Sequence, residues 1–357
     1  MTQITLAGCE PYTLLSHLAL YGLGAVLEAG GARDVRLSWS SLANPRPVIS
    51  TADTDETELA ARIAQHAQSH AAAGSWVQQD INLTVRSQDK PKTAVKALMS
   101  PRLSVFADQG TWDLVQRSRH DALDRIAAAS GWLDLRFLAA LGEPCYWSYT
   151  LKGEPLQDDG ASRFEMQPRN QGSEFVGTRL RKLAATVARR STPQILAGLR
   201  GDSAADELDS SPDSRTATGL AGLGPTDNAL AWCALWGISQ FPIAMRVNGT
   251  RRASGTAVSS GHISHRPGES FYVPMWNGQW RPARLRTVLA SLQLRAAAAT
   301  GLGPPGYTDP QIAAAHAWLA ARNVEGIMRF PVHRFGSDNA PERRAMRGQP
   351  IPLRGAR

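Results

Sequence analysis

Apolar residues recur along this chain with two periods, and the switching between them predicts a mixed fold. A short run, Ile4 to Ala7, stops at the turn Gly8-Cys9-Glu10-Pro11 and predicts a strand. From about Tyr12 to Ala29, Leu14, Leu18, Tyr21 and Ala25 follow helical spacing, and Gly30-Gly31 ends the helix. A strand is expected at Val35 to Trp39, with an extended, Pro-punctuated stretch at Asn44 to Ser50. Thr54-Asp55-Glu56 opens an Ala-rich helix that runs to about Ala73. Val77, Ile81, Leu83 and Val85 alternate with polar residues, so Trp76 to Arg86 predicts a strand. Helical patterns follow at Thr93 to Met99, Trp112 to Ala129, Leu133 to Leu141 and Thr178 to Arg190.

Gly201 to Asn228 changes character: acidic residues mix with Ser, Gly and Pro, and apolar side chains are sparse before Leu220. It is expected to be a flexible linker or inserted loop. Beyond it come a Trp-containing helix, Ala229 to Ser239, and strands at Phe241 to Val247 and Ser270 to Trp276 around a basic loop, Asn248 to Glu269. Arg281 to Ala299 is helical, and Thr308-Asp309-Pro310 caps a last helix. Gly326 to Phe335 is a final strand before an Arg- and Pro-rich tail. The expected fold class is α+β. An N-terminal domain spans 1–200, the linker 201–228, a smaller C-terminal α+β domain with the basic hairpin loop 229–335, and the tail 336–357. The 357 residues suffice for two domains that each bury a core.

Charge adds a partner class. Lys and Arg total 39 against 31 Asp and Glu, a formal +8, and Arg far outnumbers Lys. A guanidinium forks onto phosphate or a guanine edge, so this balance points toward nucleic acid, although GC-rich coding produces the same bias without function. Cys9, Cys145 and Cys233 are widely spaced with no C-x-x-C pair, which argues against a zinc ribbon or disulfide framework and fits a reducing compartment. Glu10, His17 and Glu28 interrupt or bracket the apolar stretch Leu14 to Leu27, and no basic segment precedes it. Neither a signal peptide nor a membrane span is expected, so a cytoplasmic protein is.

Two basic features are candidate nucleic-acid contacts. At about 100° per residue, Arg179, Lys182, Thr186, Arg189 and Arg190 fall on one helical face and Leu180, Leu183 and Val187 on its neighbour, so one face docks while the other meets phosphate. A solvated surface helix is the competing reading. The loop 248–269 carries Arg251, Arg252 and Arg266 among small residues that allow close approach to a groove, where Arg reads guanine. Its alternative is a surface loop without a partner. Arg343, Arg344, Arg347, Arg354 and Arg357 of the tail would add non-specific affinity.

Enzyme signatures are poor. His66 and His70 sit four apart on a helix, a metal-binding spacing, but Ala67 stands where a zincin places Glu. His262 and His265 form an equally thin pair, and a metal-dependent nuclease or hydrolase built on either pair is the first rival reading. Gly219, Gly222 and Gly224 lack the preceding strand and following Lys of a phosphate loop, and G-x-S-x-G is absent. No metal or cofactor is expected. A second rival is a scaffold whose basic surfaces meet acidic proteins.

Two blocks carry a resemblance. Ile4 to Pro11 followed by Leu14 to Leu27, with Leu20-Tyr21-Gly22-Leu23, resembles the start of large-subunit proteins from CRISPR surveillance complexes of subtype I-G, formerly I-U. Ala234 to Pro242, continuing through Phe271 to Trp276 and Leu285 to Leu292, is similar to a second recurring block of that group. The resemblance implies a non-catalytic subunit at the foot of a crRNA-bound complex that recognises the motif beside the DNA target, while guide pairing reads the target itself. The implied partners are the other complex subunits, crRNA, double-stranded target DNA and a recruited helicase-nuclease. Longer members of the group continue into a helical C-terminal portion. This sequence ends in a basic tail after one helix, which leaves open the choice between large subunit and shorter companion.

Overall fold

The computed structural model describes residues 2–41, 43–86, 90–103, 106–145, 157–165, 175–208, 219–221, 224–245, 257–265, 268–302, 307–337 and 340–353. It is an α+β fold. At its centre two helices, α1 (Leu14–Ala29) and α7 (Asn228–Gly237), lie side by side. Both are apolar around almost their whole circumference, as a helix enclosed by protein requires. Glycines permit the close approach: a Cβ on Gly22 would collide with the carbonyl of Cys233, and one on Gly237 with the carbonyl of Leu18.

On one side of this pair β1 (Thr2–Thr5), β2 (Arg36–Trp39) and β3 (Pro47–Thr51) form an antiparallel sheet in the order β1-β3-β2. The helix α2 (Glu56–Ala71) starts where Asp55 accepts a hydrogen bond from the Glu58 amide, and it packs on α5 (Arg181–Val187) and α6 (Thr192–Arg200). A hairpin of β4 (Asp80–Val85) and β5 (Lys92–Ala97) forms a small core of its own from Leu83, Val85, Leu103, Phe106 and Val115. It sits against α3 (Gln109–Ala128), which in turn contacts α4 (Trp132–Leu141). The helix expected at Thr93 to Met99 is therefore largely strand β5, because Leu83 and Val85 of β4 need a partner and Ala94 and Lys92 face them across the ladder.

The C-terminal half is built on β10 (Val324–Ser337). Its first part is held between β9 (Glu269–Trp276) and β12 (Gln349–Pro352), and its second part pairs with β11 (Ala340–Ala345). Short strands β6 (Ile243–Met245), β7 (Ala257–Ser259) and β8 (His262–Ser264) precede β9, so part of the expected loop 248–269 is strand. The helical run after Arg281 divides into α8 (Pro282–Leu289) and α9 (Leu292–Ala298), since the Ser291 side chain accepts from the Leu294 amide and starts a second helix. α10 (Asp309–Ala320) opens with the expected cap, a box between Thr308 and Gln311. The described tail residues are not an appendage: β11 and β12 lie in the sheet.

The core is continuous across the expected boundary at 201–228. The Leu15 amide donates to the carbonyl of Leu220, the Ala345 amide to that of Gly219, and the Gly348 amide to that of Tyr12. The two larger sheets also touch, through reciprocal 2.8 Å hydrogen bonds between Leu37 and Trp280. Among the described residues no helix is long and apolar enough to cross a membrane.

Candidate nucleic-acid interface

The antiparallel pair β6–β7, with Ile243 opposite Ser259 and Met245 opposite Ala257, is the stem of the predicted basic loop. Arg251 and Arg252 fall in the segment joining these strands and Arg266 in the turn between β8 and β9, and all three lie outside the described residues. The stem is anchored from below by residues 161–165. The Arg163 amide donates 3.0 Å to Ser259 Oγ, and the Phe164 ring lies 4.4 Å from Phe241 and 4.5 Å from Phe271. Gly261 takes φ +72°, and a side chain there would strike Phe241.

This anchoring gathers charge at the foot of the hairpin. Glu165 is fully buried, with Arg102 Nη1 2.6 Å from its Oε2, and Arg343 Nη2 donates 2.9 Å to its backbone carbonyl. Burial pushes the Glu165 carboxyl up, against the opposing fields of Arg102, Arg343 and Arg179. Its second oxygen, Oε1, is shut off from solvent and has no hydrogen-bond partner among the described residues. Beside it, His262 Nε2 donates 3.0 Å to Glu269 Oε2, and Arg343 Nη1 approaches Glu269 at 4.0 Å. Burial drives the His262 imidazole below its ordinary value, so it is a neutral donor at pH 7. Burial works to raise Glu269 as well, but the His262 hydrogen bond and the cations Arg343 and Arg163 hold it well below the usual carboxylate range.

The result is four guanidinium groups, Arg102, Arg163, Arg179 and Arg343, around two carboxylates. Desolvation presses Arg343 downward, as expected for cations in local excess. The cluster still reaches the surface, for the side chains of Arg102 and Arg343 are 16% and 14% exposed. Such a site favours an anion that contributes acceptor oxygens. Sequence reading missed it because its members come from positions as far apart as 102 and 343, and because Arg343 was placed in the tail.

The predicted basic helix face does not hold together. The chain enters α5 through a π-helical turn, Val176–Leu180, and α5 ends at Val187, so one 100° step does not extend from Arg179 to Arg190. Lys182 and Arg189 are exposed, Thr186 is buried and Arg179 turns toward Glu165. Arg190 is corrected from a phosphate contact to an internal strut. Its guanidinium, 4% exposed, binds Glu207 at 2.6 Å, Asp227 at 2.7 Å and the Ala205 carbonyl at 2.6 Å. Those pairs outweigh burial and raise its pKa. Asp227 in turn caps α7 by accepting from the Ala229 amide. Of the tail arginines, Arg343 joins the cluster, Arg344 lies 5.1 Å over Phe335 and Arg347 4.4 Å over Tyr12, while Arg354 and Arg357 lie outside the described residues.

The histidine pairs are engaged elsewhere. His70 Nε2 is 2.7 Å from Asp134 Oδ1 and its Nδ1 is 2.6 Å from the His66 carbonyl, while the His66 ring packs edge-on to Trp236. His265 Nε2 lies 3.0 Å from Ser270 Oγ. Among the described residues no three His, Cys, Asp or Glu side chains gather to hold a metal. No protein-family model matches this chain, and neither does any curated protein.

Proposed function

We propose that this protein is a non-catalytic, nucleic-acid-binding subunit of a crRNA-guided DNA surveillance complex, one that contacts duplex DNA beside the target. The observation that carries the binding half of this reading is the excess of arginine at the foot of the β6–β7 hairpin. Four guanidinium groups face two carboxylates there, and the connecting segment 246–256 adds Arg246, Arg251 and Arg252 in sequence. Exposed Lys182 and Arg189 supply further phosphate contacts. The assembly half rests on the resemblance of the two sequence blocks. These contain α1 and α7, the central helix pair, so they speak for a shared scaffold rather than a shared site.

Affinity purification from the native host at low salt tests the assembly. Repeat-derived guide RNA and backbone subunits are expected with the protein, and recovery of the protein alone without RNA overturns that half. Binding is tested with a duplex library randomised beside a guide-matched site. Exchanging Arg251, Arg252 and Arg266 for Ala is expected to weaken selected duplexes more than scrambled ones, whereas equal loss on both reduces the loop to a phosphate contact.

A further inference from the structure

A cavity of about 250 Å³ opens where the ends of β2 and β9 meet the start of α1. The reciprocal hydrogen bonds between Leu37 and Trp280 bring the two sheets together here, and with them Trp39 and Trp276, whose rings stand 6.4 Å apart at 76°. This is a corner rather than a sandwich. Trp276 is held rigid by Trp280, stacked on it at 4.9 Å. His17 closes the corner 4.6 Å from Trp39, with its Nε2 donating to the Pro11 carbonyl at 2.8 Å. Burial lowers His17 to about 4, so this wall is uncharged at neutral pH.

Polar groups are placed around these aromatic walls. The indole N–H groups of Trp39 and Trp276 are both closed off from solvent and lack a hydrogen-bond partner among the described residues, which leaves two donors in need of acceptors. The register between β9 and β10 shifts between Val324 and Gly326, so Glu325 is the extra residue of a β-bulge. A bulge redirects its side chain out of the ladder, and Glu325 is exposed on the cavity lining. Asn277, also exposed, lines the same cavity.

We infer that this cavity binds a single unstacked purine base, with guanine preferred. A flat ring fits an aromatic corner, its ring nitrogens and carbonyl oxygen accept from the indole donors, and the N1–H and N2–H₂ edge of guanine presents two donors to one carboxylate. The volume lies below the roughly 300–1,000 Å³ of pockets for drug-sized ligands and suits a base with its sugar outside. An alkylated ammonium also suits aromatic rings beside a carboxylate, but it offers no acceptor to either indole. The site is separate from the arginine cluster, so its test uses uncharged nucleosides, whose binding does not depend on phosphate contacts.

The experiment is calorimetric titration of the full chain with guanosine, adenosine, cytidine, uridine and choline chloride, repeated on Trp39→Ala and Glu325→Gln. Saturable guanosine binding is expected, weaker on the order of tenfold to a hundredfold in Trp39→Ala. Glu325→Gln, at an exposed position that leaves folding intact, is expected to erase the preference for guanosine over adenosine. A thymidine oligomer with one central dG distinguishes the source of the base: tighter binding than guanosine means presentation by a strand, and equal binding means a free nucleoside or nucleotide, both consistent with the pocket. Absence of nucleoside binding at millimolar concentration, or choline binding in place of guanosine, overturns the inference. Guanosine preference that survives Glu325→Gln overturns the guanine assignment.

Discussion

Arg343 and Glu165, 178 residues apart in the chain, meet where Nη2 of the arginine donates 2.9 Å to the carbonyl of the glutamate. The same guanidinium approaches Glu269, so one side chain from β11 ties the sheet to the segment beneath the β6–β7 hairpin. Removing it leaves Glu269 with one fewer compensating cation in a place largely closed to water. Arg343→Ala is expected to destabilise the fold by about 3 to 5 kcal/mol, the cost of breaking a buried charge pair on one side. Arg344→Ala, which loses only a contact over Phe335, is expected to cost about 1 kcal/mol or less. Urea titration compares the two midpoints, and equal midpoints would show that the Arg343 pairs contribute nothing.

Arg190 and its sequence neighbour Arg189 provide a sharper contrast. Arg190 neutralises Asp227, which is 3% exposed, so Arg190→Ala is expected to destabilise by about 3 to 5 kcal/mol. The salt dependence of duplex binding, measured on the folded fraction, is expected to stay the same. Arg189→Ala and Lys182→Ala reverse the pattern: stability changes within about 0.5 kcal/mol, while each lowers the slope of log K against log salt by about 1 if its side chain meets phosphate. Anisotropy titrations at several salt concentrations decide it, and a reduced slope in Arg190→Ala would return that residue to the interface.

Arg190 also shows where sequence reading stopped. Helices with local punctuation were legible, as at Asp55 with the Glu58 amide and Thr308 with Gln311, because capping is decided within four residues. The α+β class followed from the same periods. Lys92 to Ala97 has an ambiguous pattern and became a strand only because β4 lies beside it. The tail looked like an appendage because its arginines suggested solvent, yet Arg343 is drawn inward by Glu165 and Glu269. The basic face failed for a geometric reason, the π-helical turn before α5. The arginine cluster and the tryptophan corner arise from contacts distant in sequence, where no spacing rule operates.

The crossing of α1 and α7 depends on two hydrogen atoms in place of two methyl groups. A Cβ at Gly22 meets the Cys233 carbonyl and the Gly237 amide, all of them backbone, so no side chain can swing aside to relieve the contact. Gly22→Ala is expected to force the helices apart and destabilise the fold by about 3 kcal/mol or more, above the usual cost of overpacking. Gly74→Ala has open space around it and is expected to be near neutral. Thermal unfolding of both variants checks this, and a Gly22→Ala midpoint within a degree of the parent would mean that the helices do not approach so closely.

Acid is expected to unfold this protein in two overlapping stages. His17 is fully buried and its imidazole is lowered from 6.5 to about 4, so the folded state resists a proton that the unfolded chain accepts. The unfolded state then binds more protons across that window, and stability falls as pH drops from 6.5 to 4, by about 3 kcal/mol for this one group. Glu269 has the opposite charge type but the same sign of effect. Its folded pKa is lowered from 4.5 to about 2, so the stability it contributes is complete above 4.5 and lost as pH falls from there toward 2. Urea midpoints measured from pH 7 to pH 4 are expected to decline steadily. In His17→Gln the starting stability is lower, because a fitted ring and its bond to Pro11 are gone, but the decline between 6.5 and 4 is shallower. The same slope in parent and variant would place the titrating group elsewhere.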